Sequence, residues 1–351
     1  MEASGIIGLS EKLAGSFVSG EQSELLEFER KTRINRLDKN EIYRFLGEEP
    51  GRMAVEVVDR YSEAVNVART KSWKFSLGYF ERADAGLALL TGNAHLYARL
   101  FYHSGWSFFY YSKGVYAKAV AHLNQGLELS ERLENQGAAF LAFRRILDQI
   151  PNLAKIHLQD GRVCQALELH NGILKALVYN DYTSLPGKWQ TGMFDHDGYS
   201  RQRGIDDVML NTTKTILAHS QRAEERALYE VIFRDIGHFE ISNDHLEVIG
   251  RFISLKRSFF AQAHDAFLSK LNEFLVLPMD TCFDLLKLAV IANYLDLARK
   301  NMKGESLRRV CEKVDDYISF HLHPQPSERF LILLIYKEFP YLKQSNQPAF
   351  I

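Results

Sequence analysis

The chain has 351 residues, 46% of them hydrophobic and 25% charged, and its 43 Lys and Arg nearly balance 44 Asp and Glu for a formal net charge of −1. Such a length and composition belong to a folded protein with room for a large core and one to three domains. They exclude a global field that would favour nucleic acid or an anionic membrane, and three widely separated cysteines, Cys164, Cys282 and Cys311, do not make a disulfide framework or a structural zinc site.

The first residues lack the basic n-region and long apolar stretch of a signal peptide. The apolar run from Phe330 to Tyr336 is far too short to span a bilayer. A cytoplasmic location, with neither membrane nor nucleic acid as partner, is therefore expected. Only eight prolines interrupt a chain rich in Leu, Ala, Glu, Lys and Arg. Those residues lose little rotamer freedom in a helix, and no sustained period-2 alternation signals strands. The fold class expected is all-α.

In chain order, Ser19 and Gln22 have capping-box spacing. They open a helical pattern through Leu25, Leu26, Phe28, Ile34, Leu37, Ile42 and Phe45 that ends at Gly47 and Pro50. A second helix is predicted from about 52 to 69, with Val55, Val58, Ala64, Val65 and Ala68 on its buried face. A third starts near Ser72, carries Trp73, Leu77, Phe80, Leu87 and Leu90, and breaks at Thr91-Gly92-Asn93. Residues 1–92 thus read as an N-terminal helical region.

The stretch 95–178 carries a spaced pattern: Tyr110, Gly114, Tyr116, Ala119, Leu123, Gly126 and Leu127, then Leu153, Ala154, Gly161, Ala166 and Leu174. Two antiparallel helices approach closely only where the crossing residue is small, and a glycine with positive φ closes the helix before the turn. The pattern resembles the tetratricopeptide repeat, with Ala119 and Ala166 as crossing residues 47 positions apart, longer than the family's period of about 34. His103, Trp106 and Ser107 stand where the family has Trp and Leu-Gly. Pro151 should kink a helix or begin a new one.

The resemblance implies stacked antiparallel helix hairpins over 93–182, a TPR-like α-solenoid flanked by helical N- and C-terminal regions. It also implies a concave groove lined by Phe101, Ser104, Phe108 and Tyr111 and extended by Asp148 and Lys155. The family's clamp for a terminal carboxylate needs Lys and Asn where Ser104 and Phe108 stand, so that clamp is not expected. The competing reading buries this aromatic-rich helix on all sides, as all-round apolar helices usually are.

Residues 183–205 hold four glycines and a proline, which reads as a long loop and a domain boundary. Helices resume over 206–351, with candidates at 205–220, 222–239, 245–277, 280–301, 304–321 and 327–342. The stretch 245–277 is long enough for a hairpin or one spanning helix, and Asp280 after Pro278 looks like an N-cap.

No Gly-x-Ser-x-Gly elbow, phosphate loop or dinucleotide fingerprint occurs. Asp195, His196 and Asp197 cluster in the long loop, and Asp235 and His238 share a helix face at i, i+3 spacing. These five form a weak metal-site candidate; the structural reading is a solvated turn and a helix end. His321 and His323 lack a third ligand, and Arg144-Arg145 and Arg201/Arg203 read as solvated basic groups. The expectation is a non-enzymatic scaffold or regulator that binds a protein or peptide and needs no cofactor, with no catalytic residue assigned. One version resembles bacterial peptide-responsive receptors that join a helical bundle to such repeats, although 1–92 shows no helix-turn-helix pattern. The alternative is an all-α, possibly metal-dependent enzyme with a site beneath the 183–205 loop.

Overall fold

Gly114 and Gly161 reverse the chain in the same way. Each takes a positive φ, 73° and 75°, after a helix has ended. Val115 N–H then donates to the Tyr110 carbonyl at 2.9 Å, and Arg162 N–H to the His157 carbonyl at 2.8 Å. These six-to-one bonds are Schellman closures, which satisfy carbonyls the helix leaves open. Glycine suits the position because it has no Cβ to clash at positive φ.

A computed structural model describes residues 39–70, 72–189, 198–219, 224–237, 244–323, 329–339 and 342. Among them every regular element is helical and none is a strand. The expected capping box at Ser19 and Gln22 lies outside the described residues. No described helix is long and apolar enough to cross a membrane.

Residues 25–208 form one compact unit and 209–351 belong to another. In the first, a helical segment at 39–46 leads into α1 (Glu48–Thr70), α2 (Trp73–Leu87), α3 (Gly92–Ser112) and α4 (Tyr116–Glu134). α5 (Phe140–Arg144), a π-turn (Arg145–Gln149) and α6 (Ile150–Gln159) follow without a break, and then α7 (Val163–Tyr179). α1 packs against α2 and α3, α3 against α4, and α6 against α7.

Alanines mark the close approaches. Ala119 is fully buried, and the Ser107 hydroxyl donates to its carbonyl at 2.9 Å across the α3/α4 contact. A bulky side chain at 107 would separate the two helices. Ala166 is fully buried in a cluster with Ala154 and Leu158. A larger core joins Tyr61, Phe80, Tyr97, Leu100, Phe109 and Leu141. It runs on both sides of residue 92, the first residue of α3.

Pro151 sits in the first turn of α6, directly after the π-turn. A helix thus begins beside Pro151, as expected, but with no linker before it: the π-turn runs straight into α6, and in a first turn the N–H that proline lacks is one the helix does not need. The expected loop 183–205 is also shorter than its glycines imply. α8 (Gly198–His219) begins inside it. At Gly204 a Cβ would stand 2.9 Å from Leu147 Cδ2 and 3.2 Å from Leu177 Cδ1. This glycine permits close packing and does not break the helix.

The division between units falls within α8. In the second, α9 (Glu225–Phe233), α10 (Asp244–Phe260) and α11 (His264–Val276) precede α12 (Asp284–Asn301), α13 (Gly304–His321) and α14 (Arg329–Glu338). The 245–277 stretch is a hairpin, closed at Gln262 (φ 57°) by Ala263 N–H donating to the Ser258 carbonyl at 3.0 Å. Asp280 accepts from Cys282 N–H at 2.9 Å and caps the short 3-10 turn Thr281–Phe283. α12 is buried on every side from Asp284 to Ala298. Its Asn293 joins Glu225 and Lys256 in a buried polar triad, with Lys256 Nζ 2.6 Å from Glu225 Oε1 and 2.5 Å from Asn293 Oδ1.

Candidate functional site

α3 has two different faces. Tyr97 and Phe109 enter the core, and Trp106 stacks near Phe80 (5.1 Å) while its indole N–H donates to Asp84 at 3.2 Å. On the other face Phe101, Ser104, Phe108 and Tyr111 follow one another at steps of three, four and three residues, which keeps them on one stripe. All four are half-buried, and they line a groove of about 340 Å³.

Two further helices close its sides. α1 supplies Ser62, Asn66 and Arg69, while the π-turn and α6 supply Asp148, Asn152 and Lys155. The structure therefore brings together all six groove residues named from the sequence. It adds the α1 wall, which the sequence reading missed. A signal for that wall exists: Asn66-Val67-Ala68-Arg69 and Asn152-Leu153-Ala154-Lys155 repeat an amide, two apolar residues and a cation. At i, i+3 spacing the amide and the cation share a face, and the small third residue turns inward. Ala68 and Ala154 are both buried.

The charges of the groove lie on its rings. The Arg69 guanidinium is 5.0 Å from the Phe108 centroid, Lys155 Nζ is 5.7 Å from Tyr111, and the Arg144 guanidinium is 5.6 Å from Phe101. These are cation–π distances. Asp148 forms an ion pair with Arg144 at 3.9 Å. Burial, with Tyr116 nearby, raises the Tyr111 phenol, so it stays a neutral donor at physiological pH.

Two polar clusters lie within the same unit. His103 and His122 approach at 3.2 Å between their Nδ1 atoms. Burial, then His122 and Arg99, lower His103 to about 4, and burial with Lys118 also lowers His122. The pair is therefore neutral at pH 7, one ring donating to the other. Arg145, in the π-turn, is wholly buried. Its guanidinium donates to Glu131 at 2.9 Å, to Glu134 at 2.6 Å and to the Lys188 carbonyl at 3.0 Å, and lies 3.6 Å from the Trp189 ring. Burial pushes the Glu134 carboxyl up while Arg145 pulls it down. Lys188 N–H also donates to Glu131 at 2.8 Å, and Trp189 stacks on Tyr182 at 5.6 Å. Residues 182–189 are thus strapped to α4 and the π-turn. The reading of Arg144-Arg145 as a solvated basic pair is corrected: Arg145 is an internal charge held by two carboxylates.

The metal-site candidates fall mostly beyond what the structure describes. Asp195, His196, Asp197 and His238 lie outside the described residues. Asp235 is exposed beside Arg234 at 3.5 Å. His321 packs on Tyr317 at 5.0 Å, and His323 gives its backbone N–H to Asp284 at 2.8 Å. Among the described residues no three His, Cys, Asp or Glu side chains gather as metal ligands. No protein-family model, curated protein or solved structure matches the chain.

Proposed function

We propose that this chain is a non-enzymatic binding protein that holds a peptide or a segment of another protein in the groove between α1, α3 and α6, as a scaffold or regulator. The observation that carries the reading is the convergence of three helices on one trough with an aromatic floor and amide-bearing walls. Rings provide apolar contact at low entropic cost, and side-chain amides both donate and accept, which suits the backbone of an extended chain. A volume of about 340 Å³ falls in the range of ligand sites and accommodates a few residues. A tetratricopeptide-like stack is the architecture we propose for this unit. The turns at Gly114 and Gly161 and the crossing alanines recur at one spacing, and the first helix of each of three hairpins lines the groove.

The test is binding of the whole chain to an array of random peptides, compared with Phe108→Ala and Tyr111→Ala. Both side chains are half-buried, so the variants should unfold within a few degrees of the parent. Loss of peptide capture with retained thermal stability supports the reading. Unaltered capture places binding elsewhere, and a collapse in stability identifies the rings as core.

A further inference from the structure

Gly78 stands in the interior of α2 at an exposed position, where a Cβ would meet nothing within 4 Å. Glycine is among the least favourable residues inside a helix, because its backbone loses the most freedom there. Among the described residues nothing requires the missing side chain at 78. Gly86 on the same helix differs: a Cβ there would stand 2.8 Å from the Arg60 guanidinium and 3.2 Å from Val57. One turn before Gly78, Phe75 is 71% exposed. Charges complete this face. Residues seven apart on a helix lie two turns along nearly the same line. Lys74 and Glu81 run along one flank of Gly78, and Phe75 and Arg82 along the other. All four are exposed. Lys74 rests 5.7 Å over Trp73 and Arg82 rests 4.5 Å over Tyr79. Neither cation is in an ion pair among the described residues, and Glu81 has no partner there.

A second copy of α2, turned end for end about a two-fold axis at Gly78, meets the first with each flank against its own reverse. Lys74 then faces Glu81 of the second copy and Glu81 faces Lys74, while Phe75 faces Arg82 and Arg82 faces Phe75. The midpoint of each pair falls within one residue of Gly78. A side chain at 78 would hold the two axes apart, and glycine lets them close. A patch that complements itself in reverse is what a two-fold contact requires. We infer that two copies of this chain pair through antiparallel α2 helices, with Gly78 at the axis, Lys74–Glu81 ion pairs on one flank and Phe75–Arg82 cation–π contacts on the other. The contact takes about two turns of helix from each copy, less than a permanent dimer buries, so the pair is reversible, with a dissociation constant on the order of 10 μM.

Sedimentation velocity of the full chain, over concentrations that bracket this value, reads the association. A monomer at the low end and a dimer at the high end are expected, with no larger species, because a two-fold contact closes on itself. Lys74→Glu and Glu81→Lys each set like charges face to face twice per dimer, and each should weaken it about tenfold. An equimolar mixture of those two variants restores opposite charges in both pairs and should return the dimer to within about threefold of the parent. Gly78→Gln should abolish the dimer and raise the thermal midpoint of the dilute monomer, since it replaces a glycine in a helix interior. A parent that stays monomeric throughout overturns the inference. A monomeric parent that Gly78→Gln destabilises overturns it in favour of a segment of the same chain lying on α2. A dimer that survives Gly78→Gln, or charge variants that fail to complement on mixing, overturns it in favour of another surface.

Discussion

At the scale of the residue, Arg145 is the side chain on which most of its surroundings depend. It balances Glu131 and Glu134 and carries Trp189 on its face. Arg145→Met would leave two carboxylates facing each other and is expected to cost about 3–5 kcal/mol, the range for breaking a buried ion pair; urea unfolding measures it. Gly187→Ala tests the strap separately. The residue has φ 95°, and a Cβ there would stand 2.0 Å from Glu131 Oε1. A loss of about 1–3 kcal/mol is expected, with the Trp189 emission changed. None of this was readable in advance. Arg144 and Arg145 are neighbours of equal chemistry, and what separates them is the side of the helix that meets Glu131, Glu134 and Trp189, from segments distant in sequence. Titration also belongs at this scale. Burial holds His103 and His170 near 4 against an ordinary 6.5. Between these values the unfolded chain binds more protons than the folded one. The stability present above pH 6.5 is therefore lost as pH falls toward 4. His170→Gln should make the thermal midpoint less dependent on pH in that window.

At the scale of the element, the crossings are the sensitive points. Ala119→Leu forces a branched side chain into the α3/α4 contact beside Ser107, and Ala166→Leu does the same beside Ala154 and Leu158. Overpacking of this kind costs about 1–3 kcal/mol. Only Ala119→Leu moves the floor of the groove, so calorimetry should show both variants destabilised while peptide capture falls mainly in the first. The helices and their turns were legible because glycine at a helix end, alanine at a crossing and a stripe of rings are local signals. The floor of the groove was legible for the same reason: Phe101, Ser104, Phe108 and Tyr111 follow from the register of one helix. The α1 wall was not, because Asn66 and Arg69 resemble any exposed helical positions until α1 is set beside α3. Gly204 misled for a related reason. A glycine that admits Leu147 and Leu177 and a glycine that ends a helix are the same letter.

At the scale of the whole molecule, the two units have separate internal charges: Arg145 with its glutamates in one, Lys256 with Glu225 and Asn293 in the other. All three tryptophans, Trp73, Trp106 and Trp189, belong to residues 25–208. Lys256→Met strands a buried carboxylate and is expected to cost about 3–5 kcal/mol in the unit that has no tryptophan. Helical circular dichroism should then register an early transition that tryptophan fluorescence does not follow. Coincident shifts in both signals would instead show that the units unfold as one.

The cations resting on Phe101, Phe108 and Tyr111 also bear on the protein without a ligand. A bare aromatic trough invites neighbouring molecules to stick. Under three charged lids it meets water as a polar surface, and the vacant protein should stay dispersed at concentrations where an Arg69→Ala, Arg144→Ala, Lys155→Ala triple variant scatters light.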